Sequence, residues 1–202
     1  MVNDLILPVP VLIINHLGIT PELRLKNILN SLGYPQELVM QSPSIENAKN
    51  MITEHLPNLI FYNVQSSSDL NFIHLIKQIH PSGYLVTLHQ AEHTQLIFDA
   101  IQMGSNTYLL NDTPLESSLK QLKTILRGGA VMHTLFADFL LLHKFNGESP
   151  TASDHHLYPP KYQILQLISQ EYTVEQIAQQ LKLSTYQVDS LIKAIFRKLF
   201  SR

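Results

Sequence analysis

The chain has 202 residues, 45% of them hydrophobic and 15% charged, enough for one ordinary domain and a small second one. It holds no cysteine, which excludes disulfides, thiolate metal sites and cysteine nucleophiles. The net charge of −2 is unevenly spread: residues 1–145 carry −3 and residues 157–202 carry +3, a mild basic bias compatible with nucleic acid.

The first apolar run, Leu5 to Ile14, is short and broken by proline. No basic leader with a small-residue cleavage site precedes it, so the expectation is a globular cytoplasmic protein with no membrane partner. Apolar runs of strand type follow at Val11–Ile14, weakly at Leu38–Met40, then at Leu59–Tyr62, Tyr84–Leu88 and Thr107–Leu110. Helical patterns lie between them: Leu25, Ile28, Leu29 and Leu32; Ile45, Ala48, Met51 and Ile52; Phe72, Ile73, Ile76 and Ile79; Ile97, Ala100 and Ile101. Such alternation predicts a doubly wound α/β fold, a parallel five-stranded sheet covered on both faces. Thr20-Pro21 and Thr113-Pro114 read as an N-cap followed by proline at the first helical position, with Glu116 completing a capping box, while Gly104 and Gly128-Gly129 suit helix ends.

Ala130 to Phe145 is an apolar segment of helical length, either a core helix or a linker helix packed between protomers. The polar stretch 146–156 reads as a flexible linker. The expected division is therefore 1–129 for the α/β domain, 130–156 for a linker helix and flexible linker, and 157–202 for a small all-α domain. In the last, Lys161 to Ser169 supplies a supporting helix. Thr173 with Gln176, and Ser184 with Gln187, each place a hydroxyl at a helix start with an amide three residues on, so two short helices joined by a tight turn are predicted. Val174, Ile177, Ala178 and Leu181 would face inward from the first, and Val188, Leu191, Ile192, Ile195 and Leu199 from the second, with Leu183 plugging the turn. This is a helix-turn-helix.

With VLIIN at Val11, PNLIFYN at Pro57, AIQMGSNTYLLND at Ala100 and LSTYQVDSLIKAIFRKL at Leu183 in order, the chain resembles a LuxR-type response regulator. The resemblance implies a flavodoxin-like receiver domain over residues 1–129 followed by the DNA-binding helix-turn-helix. It also implies a phosphoacceptor pocket, and there the residues depart from the family. The aspartate that is phosphorylated falls on Asn63, and the acidic pair that holds the metal falls on Asn15 and His16. The lysine falls on Asn111, and the Thr/Ser switch on His89, or on Thr87 with a shift of two residues. Only the switch aromatic remains, as Tyr108. An amide does not accept a phosphoryl group as a carboxylate does, and neutral donors make a poor Mg²⁺ site. A receiver without phosphoryl transfer, without cofactor and without catalytic residues is expected. His89 and His93, four apart, lack a third ligand and are not read as a metal site, and His155 and His156 read as solvated linker residues.

On the second helix of the motif, Thr185, Gln187, Asp189, Ser190, Lys193 and Arg197 are expected to face outward. Thr185, Gln187, Ser190, Lys193, Arg197 and Lys198 are the candidate DNA-binding residues, through base edges and phosphates. Asp189 and Glu175 stand where relatives tend to be basic, and Glu171 where they tend to have glycine. The chain also stops at Arg202, short of the family's last helix, so a dimer would form through the receiver or the Ala130–Phe145 helix. The expected function is phosphorylation-independent DNA binding by a homodimer. The alternative is an adaptor that docks on another regulatory protein.

Overall fold

Five strands, β1 (Val11–Ile14), β2 (Val39–Ser42), β3 (Leu59–Asn63), β4 (Tyr84–His89) and β5 (Thr107–Leu110), pair in parallel in the order β2-β1-β3-β4-β5. The computed structural model describes residues 8–15, 19–144 and 159–200. Every residue of β1 and β3 is buried, the consequence of covering a parallel sheet on both sides.

Side chains alternate between two cores, as the two-residue period of a strand demands. Val11, Ile13, Leu59, Phe61, Val86 and Leu88 pack with α1 (Ile19–Ser31) and α5 (Leu115–Leu126). Leu12, Ile14, Ile60, Tyr62 and Leu85 pack on the other face against α2 (Ile45–His55) and α3 (Leu70–Ile79). The sequence-predicted strands lie where expected, the weak second one shifted slightly toward its C-terminal end.

A third core unites what the sequence divides. Ile97, Phe98 and Ile101 of α4 (Thr94–Gln102), together with Tyr108 and Leu110 of β5, share one cluster with the C-terminal helices. Those helices are α6 (Thr134–Lys144), α7 (Pro159–Ser169), α8 (Val174–Leu181) and α9 (Thr185–Phe200). Phe136, Ala137 and Leu140 of α6 are buried in it, so α6 is a core helix of this chain. The Tyr108 ring meets Phe136 edge-on at 5.3 Å and Phe196 at 6.2 Å, and its hydroxyl accepts the His133 backbone N–H at 2.7 Å. The side chain that would report a switch is thus sealed beneath both parts.

Two helix starts differ from expectation. Thr20 lies inside α1, which already runs from Ile19, so it is no N-cap. At α5 the cap is Pro114 itself, extended at ψ 148, with Thr113 outside and no capping box from Glu116. The proline ring fixes φ but leaves ψ free, and here ψ takes the extended value. Gly128 ends α5 with φ +74, as expected.

Candidate functional site

Three asparagines meet at the carboxyl end of the sheet, the edge where parallel α/β sheets place their sites. Asn15 follows β1, Asn63 ends β3 and Asn111 follows β5. The Asn63 amide donates to Asn15 Oδ1 at 3.3 Å, and Asn111 donates to Asn63 Oδ1 at 3.4 Å. Asn63 is fully buried and Asn15 nearly so. His16 lies outside the described residues. Among the described residues Arg24 of α1 brings a cation to this end, its guanidinium donating to the Asn111 carbonyl and, at 3.0 Å, to Ser118 Oγ.

His89, at the end of β4, has both ring nitrogens buried without a hydrogen-bond partner among the described residues. Burial, reinforced by His93, pushes its pKa down to about 3, so the ring is neutral at pH 7. Thr87, the alternative switch position, is buried mid-strand and shares a 3.0 Å hydrogen bond with Ser105. His93 precedes α4 while His89 belongs to β4, so the pair does not share a helix face. Among the described residues no three His, Asp or Glu side chains gather as metal ligands. The buried carboxylate after β3, Asp69, already accepts the Gln65 and Ser66 backbone N–H groups at 2.9 and 3.0 Å. This end of the sheet holds neutral amides joined by two hydrogen bonds, with Asn15 Nδ2 left without a partner among the described residues.

The helix-turn-helix is built by local sequence. Thr173 N–H donates to Gln176 Oε1 at 2.8 Å while Gln176 N–H returns to Thr173 Oγ1 at 3.3 Å. Ser184 and Gln187 repeat this at 2.8 and 3.2 Å. Ile177, Ala178, Val188, Ile192 and Ile195 bury between the helices. Of the candidate contact residues, Thr185, Gln187, Arg197 and Lys198 are exposed, whereas Ser190 and Lys193 are half-buried. Asp189, expected outward, is also half-buried, with Oδ1 enclosed and without a hydrogen-bond partner. Burial raises its pKa, the Lys193 charge lowers it, and Glu175 raises it again. α9 packs against α4, with Phe196 buried in the third core.

Sequence periodicity missed three residues of interest here. Phe196 falls outside the helix-turn-helix stripe because it serves the sheet layer instead. Tyr186 is 78% exposed at the start of α9, a large aromatic off the buried face and so a contact candidate. Lys77, the lone cation in the apolar helix α3, donates to the Gly83 carbonyl at 2.6 Å and to Asn106 Oδ1 at 2.8 Å.

The site and fold define a class: a receiver-like parallel sheet whose helical C-terminal region carries a helix-turn-helix. No protein-family model matches the chain. The nitrate/nitrite response regulator protein NarL of Escherichia coli K12 is 25% identical over 146 residues, covering 71% of this chain and 68% of NarL. The response regulator RcsB of Salmonella typhimurium matches with a TM-score of 0.56 at 16% identity, over 95% of this chain and 92% of that one. RcsB is also seen as dimers bound to two parallel DNAs, at a TM-score of 0.55 and 15% identity, over 93% of this chain and 90% of that one. A LuxR-family response regulator from Aurantimonas sp. SI85-9A1 matches with a TM-score of 0.56 at 13% identity, over 67% of this chain and 99% of that one. By sequence the chain is similar to NarL, and its fold is that of these response regulators.

Proposed function

We propose that this protein is a DNA-binding transcription regulator that works as a dimer without phosphorylation of its receiver. The observation that carries the proposal is the juxtaposition of an intact, capped helix-turn-helix with a receiver pocket built from Asn15, Asn63 and Asn111. In this reading residues 1–129 are the receiver, 130–156 the linker and 157–202 the DNA-binding domain. Thr185, Gln187, Arg197 and Lys198 stand exposed for the groove. Ser190 and Lys193 join them when α9 parts from α4. The RcsB dimers on DNA support both the nucleic-acid partner and the dimer. The exposed Leu135 and Leu142 of α6 offer one apolar surface for pairing.

The test is retention of genomic fragments in a gel shift. Retention is expected to weaken with salt, to be unchanged by acetyl phosphate, and to fall when Lys193 and Arg197 are both changed to alanine. Salt-independent retention, or none, overturns the reading. Light scattering decides the dimer.

One observation favours a second reading, an adaptor that docks on another regulator. Asp189 lies within reach of the Glu175 field on the face that would meet phosphates, where a carboxylate repels. Stable capture of a cognate regulator together with failure to retain DNA would select it.

A further inference from the structure

Where α9 meets the amino ends of β4 and β5, the two parts of the chain leave a cleft of about 560 Å³ between them. Small-molecule sites are of this size, roughly 300–1,000 Å³. Its walls carry three cations, Lys77 from the sheet layer and Lys193 and Arg197 from α9, and, among the described residues, no carboxylate. Lys77 is bonded only to neutral acceptors. Lys193 makes no ion pair with a described residue; the acid nearest it in sequence is Asp189, one turn back on the helix. The charges of Arg197 and Lys198 reach Lys161 and, after its burial, depress its pKa, so the field around this end of α9 is positive.

The polar groups are fixed in place. Asn106 Oδ1 accepts from both Lys77 and the Leu85 backbone N–H, at 2.8 Å each, which orients its amide N–H₂ as a spare donor. Tyr84 and Phe196 add aromatic surface beside the charges. Converging cations, an oriented amide donor and aromatic walls are what a phosphate group with a flat ring requires. Burial pulls the Lys77 pKa down to about 8, a cost that an anion in the cleft would relieve.

We propose that this cleft binds a phosphate-bearing small anion of mononucleotide size, which bridges Lys77 to Lys193 and Arg197 and so holds α9 on the sheet. The second consequence rests on the DNA-binding reading: the bound anion takes Lys193 and Arg197 from DNA and lowers retention.

Equilibrium dialysis of the full chain without DNA tests the site, with ATP and pyrophosphate as probes and adenosine as the uncharged control. Saturable binding of ATP at one site per chain, none of adenosine, and a loss of roughly tenfold in each of K193Q and R197Q are expected. Equal affinity for pyrophosphate supports recognition through phosphate alone, whereas tighter ATP supports a nucleotide. K182Q, a cation outside the cleft, is expected to bind normally. K77Q is expected to lose binding, read beside its thermal melt, and K193Q and R197Q keep the test decisive if K77Q fails to fold. Absence of saturable binding by both anions, or equal losses in K182Q and K193Q, overturns the site. A second arm adds ATP to complexes with DNA. Displacement supports the coupling, and unchanged retention overturns it. ATP binding by a chain that retains no DNA upholds the site while defeating the DNA reading.

Discussion

The two ends of the sheet have gone opposite ways in charge. At the carboxyl end Asn15, Asn63 and Asn111 bond to one another, and His89 is held neutral beside them. At the amino end Lys77, Lys193 and Arg197 line one cleft with no carboxylate among the described residues of its wall. At the neutral end Asn63 both donates and accepts within the trio, while Asn15 Nδ2 is buried without a partner among the described residues. The other end keeps cations because it is open to solvent and because α9 brings two of them from a separate part of the chain. In this fold the carboxyl end of the sheet is lined by amides while the face beneath α9 gathers charge.

Separating the two ends from α9 should have the largest effect. Phe196→Ala removes the ring that contacts Tyr108 and Phe136 at 6.2 and 6.3 Å, and is expected to cost about 3–4 kcal/mol in urea unfolding, the usual range for a buried phenylalanine. It would leave the asparagine trio untouched and deprive the cleft of a wall. A loss below about 1 kcal/mol, roughly a third of the expected minimum, would mean that α9 is not packed on α4.

Restoring the carboxylate at the neutral end should come next. Asn63→Asp places an acid at a fully buried position among amides, and a cost of about 2–3 kcal/mol at pH 7 is expected. The group's folded pKa would be raised, so the deficit should shrink as pH falls toward the carboxylate range. Phosphate uptake from acetyl phosphate is expected to remain absent, because Asn15 supplies no carboxylate to hold Mg²⁺. Labelling of this variant would show that the pocket had lost only one group.

His89 gives the pH test of the same end. Its pKa is about 3 when folded against 6.5 ordinarily, so the unfolded chain takes up the proton first. The stability is complete above about pH 6.5 and is lost as pH falls toward 3; by pH 4.5 the loss is about 2.5 kcal/mol. His89→Leu should remove that part of the acid limb. At pH 7 it should be neutral or mildly stabilising, since two unpartnered ring nitrogens disappear. An unchanged acid limb in urea titrations would show that His89 is hydrated.

Sequence reasoning reached what local rules govern. The strands are legible because burial on both faces demands continuous apolar runs, and the two capping boxes because each closes within four residues. The asparagine positions were legible by alignment in order along the strands. The packing of α9 on α4 was not. Lys193 and Asp189 read as outward, and Phe196 falls off the inward stripe, because helical periodicity describes a helix against its own domain and is silent about a second neighbour. The cleft was hidden for the same reason, since Lys77 and Lys193 are brought together only by tertiary packing. At Thr113-Pro114 two cap geometries fit one dipeptide, and the one without a side-chain cap prevailed.

The smallest effect concerns how the helices behind α9 are closed. After α5, Gly128 takes φ +74, with its N–H on the Ile125 carbonyl and the next N–H on that of Thr124. After α7 the same bonds recur, Glu171 N–H to Ile168 and Tyr172 N–H to Leu167, but the left-handed residue is Glu171 at φ 65. Only glycine enters that region without a clash between Cβ and backbone. Glu171→Gly should therefore stabilise the chain, the relief of strain exceeding the entropy lost from a freer unfolded state, by about 0.5–1 kcal/mol. The same change also removes a negative charge. Comparing Glu171→Gly with Glu171→Gln in urea unfolding separates the two: stabilisation confined to glycine is conformational, whereas equal gains would assign it to charge.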